Sequence, residues 1–257
     1  MPPPLPATLA DEAPLILVTG AARRVGAEIA RQLHARGARI ALHYRHSADA
    51  ALTLAAALDA ERPGSAFTVG GDLARFGAAD EIAAQVLERS GGRLDGLVNN
   101  ASSFFPTPVG RIDRAAWDEL IGSNLMGPLF LSQALAPALE SSGRGAIVNI
   151  VDIHAERPLE RYPVYSAAKG GLAALTRALA IELAPAVRVN GVSPGPIDWP
   201  EDGQFPPAER ERIIAHTLLK RVGNAADIAR TVSFLMFDAP YITGQIIAVD
   251  GGRSAHL

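Results

Sequence analysis

From Leu15 onward the chain alternates short apolar runs with longer Ala-rich amphipathic segments, and this alternation limits the fold more than any other feature. A short continuous apolar run suits a strand buried on both faces. Both faces are buried when helices cover a parallel sheet, so the pattern predicts an α/β fold. Strands are predicted at Leu15 to Thr19, Arg39 to His43, Ala66 to Val69, Gly96 to Val98, Ala146 to Val151, Arg188 to Val192 and Ile246 to Val249. Helices are predicted to begin near Arg24, Ser47, Phe76, Asp113, Pro163 and Ala225. No linker or internal repeat interrupts the series, so residues 15–257 read as a single domain, a doubly wound seven-stranded parallel sheet flanked by helices.

Two stretches depart from the pattern. Residues 1–14, MPPPLPATLADEAP, lack the basic and apolar regions of a secretory signal and read as a disordered Pro-rich tail. Ser193 to Pro207 is long, irregular and rich in Pro, Gly and acid. Such a loop inside a compact domain is commonly functional, so residues 193–220 read as a substrate loop or lid, with a merely solvated connection as the alternative.

The first strand runs into Thr19-Gly20-Ala21-Ala22-Arg23-Arg24-Val25-Gly26. A glycine turn between a first strand and a first helix lets backbone approach a pyrophosphate at the positive end of the helix, the arrangement of a Rossmann-type dinucleotide site. Arg24 stands where such turns often carry another glycine, and a cation there can contact phosphate and reach toward the nicotinamide. The second strand ends in His43-Tyr44-Arg45-His46-Ser47. An acid at this point suits the ribose 2′-hydroxyl and an Arg suits a 2′-phosphate; with Arg45, His46 and Ser47 here and no acid, the predicted cofactor is NADPH. Ser47 also reads as a helix N-cap. Asp72-Leu73, after the third strand, is placed to meet the adenine.

The fourth strand continues Asn99-Asn100-Ala101-Ser102-Ser103-Phe104-Phe105, small residues followed by two aromatics. An aromatic in a crevice can stack on a flat ligand, although at least one of Phe104 and Phe105 reads as core. Asn124 is a polar residue amid Leu125, Met126, Leu129 and Phe130, suited to organising backbone and water. Trp117 and Trp199 read as packing residues, with Trp199 also able to shield a site from the presumed lid.

Tyr165 and Lys169 are four apart on a predicted helix and so share a face. A fixed ammonium beside a phenol favours the phenolate and moves it toward a range where Tyr165 can act as an acid. The chain has only two lysines, Lys169 and Lys220, and otherwise uses Arg, which suggests that Lys169 fills a role a planar guanidinium cannot. Asp152 ends the apolar run before this helix, and strand end and helix start are expected to face each other.

Composition removes other classes. A net charge of −3 without a basic run gives no footprint for nucleic acid or an anionic membrane. The absence of Cys excludes disulfides, thiol catalysis and Cys-ligated metal. His154 has no second ligand at metal-binding spacing, His34, His216 and His256 have no evident partner, and no apolar stretch reaches the roughly 20 residues of a membrane span. The chain reads as a soluble, cytoplasmic protein without a metal.

From about Leu15 to Gly252 the chain resembles the short-chain dehydrogenase/reductases, through the glycine turn, Asn99-Asn100-Ala101, Asn124, Tyr165-x-x-x-Lys169, Ser193-Pro194-Gly195 and Val249-Asp250-Gly251-Gly252. Most of that family carries Ser in place of Asp152 and Gly in place of Arg24. Both departures, with His43-Tyr44-Arg45 and the Asn99 to Phe104 run, are similar to the pteridine reductases. The resemblance implies catalytic Asp152, Tyr165 and Lys169, with Lys169 on the nicotinamide ribose and Phe104 stacking a pterin against the nicotinamide. It implies that Arg24 and Ser102 touch both cofactor and substrate. Further cofactor contacts are implied at Gly20, Val25, His43, Tyr44, Asn99, Ala101, Asn124, Pro194 and Gly195. A homotetramer is implied, with the Asn124 and Tyr165 helices at an interface and Arg253 a candidate to reach a neighbouring site.

The chemistry of Asp152 points the same way. A carboxylate would repel the lone pairs of a ketone oxygen, whereas a pterin offers ring nitrogens that must gain a proton as hydride arrives next to them. The expectation is therefore NADPH-dependent reduction of dihydropterins, with oxidised pterins or dihydrofolate as further substrates. A carbonyl or 3-ketoacyl reductase that merely tolerates Asp152, a non-catalytic nucleotide-binding sensor and a structural protein on the same fold are the alternatives.

Overall fold

The computed structural model describes residues 13–199 and 205–255. Most of the expected Pro-rich tail, His256 and part of the irregular segment lie outside the described residues. The strands are β1 (Leu15–Val18), β2 (Arg39–Tyr44), β3 (Ala66–Gly70), β4 (Gly96–Asn99), β5 (Gly145–Ile150), β6 (Val187–Pro194) and β7 (Ile246–Val249). They form one seven-stranded sheet in the order β3-β2-β1-β4-β5-β6-β7, and every neighbouring pair is parallel. The strands predicted from apolar runs all form. β1, β4 and β5 are buried at every position, as a strand covered on both faces must be.

The helices are α1 (Arg24–Ala35), α2 (Ala48–Glu61), α3 (Ala78–Ser90), α4 (Arg114–Ile121), α5 (Gly127–Ser141), α6 (Pro163–Glu182), α7 (Pro207–Ala215) and α8 (Ala225–Phe237). One core layer joins Ile29 and Leu33 of α1, Leu54 and Leu58 of α2 and Val232 and Leu235 of α8 to one face of the sheet. The other joins Ile82 and Val86 of α3, Leu131 and Leu135 of α5 and Ala180 of α6 to the opposite face. Each such buried Leu or Ile contributes about 1.5–3 kcal/mol, so both layers hold the sheet edge to edge.

Several expectations are corrected. The helix expected near Phe76 begins at Ala78, because Gly77 turns the chain through a left-handed φ of 85° and leaves Phe76 73% exposed. Ser47 takes the position before α2 but its side chain makes no capping hydrogen bond. The helix expected from Asp113 is three pieces, α4, a π turn over Gly122–Met126, and α5. A Cβ on Gly122 would stand 2.7 Å from Ala74 Cα, so this turn packs directly on the loop after β3. The segment read as irregular through Pro207 is strand to Pro194, and the wider 193–220 stretch contains α7. Trp117 is not a core residue, being 48% exposed on α4.

Chain order reverses between β1 and β4, which are adjacent in the sheet. The loops leaving their carboxyl ends diverge there and open a crevice, the place where ligands bind in open α/β sheets.

Candidate active site

Two neighbouring pockets occupy that crevice. The first, about 420 Å³, follows the glycine turn and the ends of β2, β3 and β4. The second, about 160 Å³, lies beyond the ends of β5 and β6, and Arg24 lines both.

The turn between β1 and α1 is tied down from two sides. Thr19 Oγ1 accepts the backbone N–H groups of Asn100 and Ala101 at 2.8 and 2.9 Å, and Asn100 Nδ2 donates to the Thr19 carbonyl at 2.9 Å. On the other side the Gly20 N–H donates to His43 Nδ1 at 3.2 Å, while His43 Nε2 lies 3.1 Å from the Gly71 carbonyl. That pair of partners fixes a neutral imidazole with its proton on Nε2, and burial lowers the His43 pKa to about 4. His43 thus braces the turn from below and also lines the cleft. A Cβ on Gly26 would fall 2.2 Å from the Gly20 carbonyl oxygen, so the helix can start this close to the turn only with glycine. α1 begins with no side-chain cap and no acid in its first turn, which leaves its positive end open to the cleft.

Of the residues expected on the cofactor, Gly20, Arg24, Val25, His43, Tyr44, Ser47, Leu73 and Ala101 line this cleft, together with Arg45, His46, Asp72 and Ser102. Asn99 does not join them. It is the last residue of β4 and its side chain turns inward, where Nδ2 donates to Asn149 Oδ1 at 2.8 Å and to Ser132 Oγ at 3.3 Å. Its neighbour Asn100 takes the place in the turn. The end of β2, which the sequence reads as free of acid, receives two carboxylates from elsewhere: Arg45 contacts Asp72 at 3.0 Å and Glu119 at 2.6 Å.

In the second pocket the Tyr165 hydroxyl donates to Asp152 Oδ2 at 2.7 Å, and Asp152 Oδ1 accepts the His154 N–H at 2.8 Å. Lys169 is 2% exposed and its Nζ donates to the Ile150 carbonyl at 2.9 Å, at 5.7 Å from the Tyr165 ring centroid. Burial, then the Asp152 charge and hydrogen bond, raise the Tyr165 pKa well above its ordinary value, opposed by the Ser102 hydroxyl. This reverses the expectation that Lys169 brings the phenol down: the carboxylate touches the hydroxyl and the ammonium lies behind the ring. Burial in turn lowers Lys169 to about 8, against the pull of Asp152.

Phe104 stacks on Tyr162 at 4.6 Å between centroids, meets Tyr165 edge-on at 4.8 Å and lies nearly parallel to Phe205 at 6.4 Å. Phe105 packs beside it against the small cluster of Leu120, Tyr162, Val164 and Tyr165. Asn124, fully buried on the π turn, donates to the Ser103 carbonyl at 2.9 Å and the Leu120 carbonyl at 3.0 Å, and accepts the Ser102 hydroxyl at 2.7 Å. It fixes the loop that carries Ser102 and Phe104. Pro194 closes β6, and Gly195 lines the pocket with its N–H donating to the Val249 carbonyl at 3.1 Å.

Arg24 holds a left-handed φ of 51°, and its Nη2 donates to the Asp198 carbonyl at 2.8 Å, joining the glycine turn to the segment after β6. Trp199 lines the pocket beside Phe205 rather than the core. Arg253 lines this same chain's pocket, with Nη1 donating to the Ile213 carbonyl at 3.1 Å. His154 faces the pocket as well, its Nδ1 2.9 Å from the Arg157 carbonyl, and the buried His34 pairs with Ser65 Oγ at 2.7 Å. The sequence reading missed Arg23, Ser103 and Glu119. Arg23 was legible as a second cation in the glycine turn, whereas a single acid on α4 carries no signal.

The family model described as enoyl-(acyl carrier protein) reductase matches residues 20–254. "Pteridine reductase 1" of Leishmania tarentolae is 41% identical, over 96% of this chain and 98% of that protein. "Granaticin polyketide synthase putative ketoacyl reductase 2" of Streptomyces violaceoruber is 37% identical over 98% of this chain and 99% of that protein. A 3-oxoacyl-[acyl-carrier-protein] reductase of Staphylococcus epidermidis is 34% identical over 92% and 97%.

Proposed function

The chain belongs to the short-chain dehydrogenase/reductase family of oxidoreductases, and from that premise we propose that it is an NADPH-dependent pteridine reductase, converting dihydropterins to tetrahydropterins. The observation that carries this reading is the 2.7 Å bond from the Tyr165 hydroxyl to Asp152 in a pocket walled by Phe104. A carboxyl group beside the proton donor is wrong for a ketone oxygen, which needs hydrogen-bond donors, and right for a ring nitrogen that must gain a proton. The similarity to a pteridine reductase supports the same substrate class.

The first cleft suits a dinucleotide. The open end of α1, the glycine turn and the cations Arg23 and Arg24 fit a pyrophosphate, and Arg45, His46 and Ser47 at the end of β2 fit a 2′-phosphate. When bound, the nicotinamide supplies the hydride. Lys169, anchored on the Ile150 carbonyl, holds a ribose hydroxyl, and Phe104 supplies the flat wall for the pterin. Tyr165 gives its proton to the ring nitrogen beside the reduced carbon. Asp152, half-buried and open to the pocket, takes a proton from solvent and returns it to Tyr165. Proton transfer of this kind contributes roughly 10²- to 10⁴-fold. Oxidised pterins and dihydrofolate are further candidate substrates, and a homotetramer is the proposed assembly, which the exposed Trp117 and Ile181 on α4 and α6 favour.

The test is NADPH oxidation by purified protein with a 7,8-dihydropterin, beside dihydrofolate and a simple β-ketoester, repeated with NADH. Fast turnover of the dihydropterin with NADPH is the expected result. Turnover of the ketoester alone would replace this reading with that of a carbonyl or 3-ketoacyl reductase, and no turnover at all would revive a nucleotide sensor.

A further inference from the structure

Arg45 stands at the adenosine end of the cleft with its guanidinium already engaged. Nη1 donates to Glu119 Oε1 at 2.6 Å, and Nη2 lies 3.0 Å from Asp72 Oδ2. One guanidinium between two carboxylates leaves an excess of negative charge at the place where a phosphate would be read.

The two acids are not equivalent. Asp72 is built into the loop after β3, where its Oδ1 accepts the Ala74 N–H at 3.0 Å. Glu119 belongs to α4 and reaches Arg45 through its side chain alone, with the Ser103 hydroxyl donating to the same Oε1. Burial pushes the Glu119 carboxyl up, but the bonds from Arg45 and Ser103 and the charges of Arg45 and His46 outweigh it. Its pKa lies below the ordinary value, so Glu119 is ionised at neutral pH.

Resting on the reading that Arg45 meets the 2′-phosphate, we infer that Glu119 is a specificity-determining residue, whose carboxylate competes with a phosphate monoester for Arg45. It thereby limits how strongly the cleft prefers a phosphorylated over an unphosphorylated dinucleotide. A phosphate monoester carries about −1.5 to −2 charges at pH 7, and it must displace a carboxylate from the fork while standing beside a second one. Arg45 and Glu119 are partly exposed, so solvent and salt screen the effect to about three- to fivefold in affinity.

The experiment measures dissociation constants of adenosine 2′,5′-bisphosphate and 5′-AMP by calorimetry on the full chain, wild type against Glu119→Gln and Arg45→Ala. The Gln side chain keeps an acceptor for Ser103, and 5′-AMP binding reports an intact cleft. Glu119→Gln is expected to tighten the bisphosphate by about three- to fivefold, less at high salt, and to leave 5′-AMP unchanged. Unchanged or weaker bisphosphate binding would overturn the inference. If Arg45→Ala still weakens only the bisphosphate, the phosphate reading survives that failure. If Arg45→Ala weakens both ligands equally, the phosphate reading falls and this inference falls with it.

Discussion

The Tyr165 hydroxyl donates its hydrogen bond to Asp152 Oδ2 at 2.7 Å, so the phenol is paired with a carboxylate at the end of β5 rather than with Lys169. Burial and then Asp152 raise the phenol pKa, and the proposed relay has Asp152 return a proton to Tyr165. Asp152→Ser is expected to lower kcat for dihydropterin by on the order of 10²-fold or more, with NADPH affinity retained. In Asp152→Asn the tyrosinate absorbance should appear at lower pH than in wild type. Unchanged pterin turnover in Asp152→Ser would end the relay.

Lys169 gives a stability signature of defined sign. Burial lowers its pKa from 10.5 to about 8, so the unfolded chain holds this proton more tightly than the folded one. The cost of burying the ammonium is complete below about pH 8 and disappears toward pH 10.5. Urea midpoints of the cofactor-free protein should therefore rise from pH 8 to 10, with a slope of at most about 1.4 kcal/mol per pH unit. Lys169→Met should flatten that rise. A wild-type curve already flat in this window would show that the ammonium is solvated.

Arg24 sets function against backbone comfort. A left-handed φ of 51° costs an L-residue about 1–2 kcal/mol, which glycine does not incur, although glycine loses roughly half of that advantage through a freer unfolded chain. The bond from Arg24 to the Asp198 carbonyl joins the two pockets. Arg24→Gly should leave Tm equal or higher while raising KM for the pterin several-fold. A lower Tm together with an unchanged KM would show that the arginine serves the fold alone.

The sheet was legible because burial on both faces leaves apolar residues at nearly every position of β1, β4 and β5. The meeting of Asp152 and Tyr165 was legible because the end of β5 and the start of α6 are consecutive elements at one edge of the crevice. α7 was not, since PAERERIIA is charged, flanked by Pro and buries only Ile213. Adjacent Asn99 and Asn100 look alike in sequence, but the strand ends between them, sending one into the core and the other into the turn. The acids on Arg45 were invisible because Glu119 lies 74 residues away and reaches Arg45 only through tertiary packing.

His43 separates support of the cofactor from contact with it. Its imidazole holds Gly20 on one side and Gly71 on the other, so it shapes the turn used by any dinucleotide. His43→Leu is expected to weaken NADPH and NADH binding by similar factors, about tenfold for the loss of two buried hydrogen bonds, whereas Arg45→Ala should weaken NADPH selectively. Acid provides a second readout. With a folded pKa of about 4 against an ordinary 6.5, the imidazole stays neutral in the fold while the unfolded chain protonates. Its contribution is therefore full above pH 6.5 and is lost as pH falls through about 4. Urea midpoints should drop across that window in wild type and less steeply in His43→Leu. A variant that lost NADPH affinity alone, with the acid profile unchanged, would make His43 a phosphate contact and not a strut.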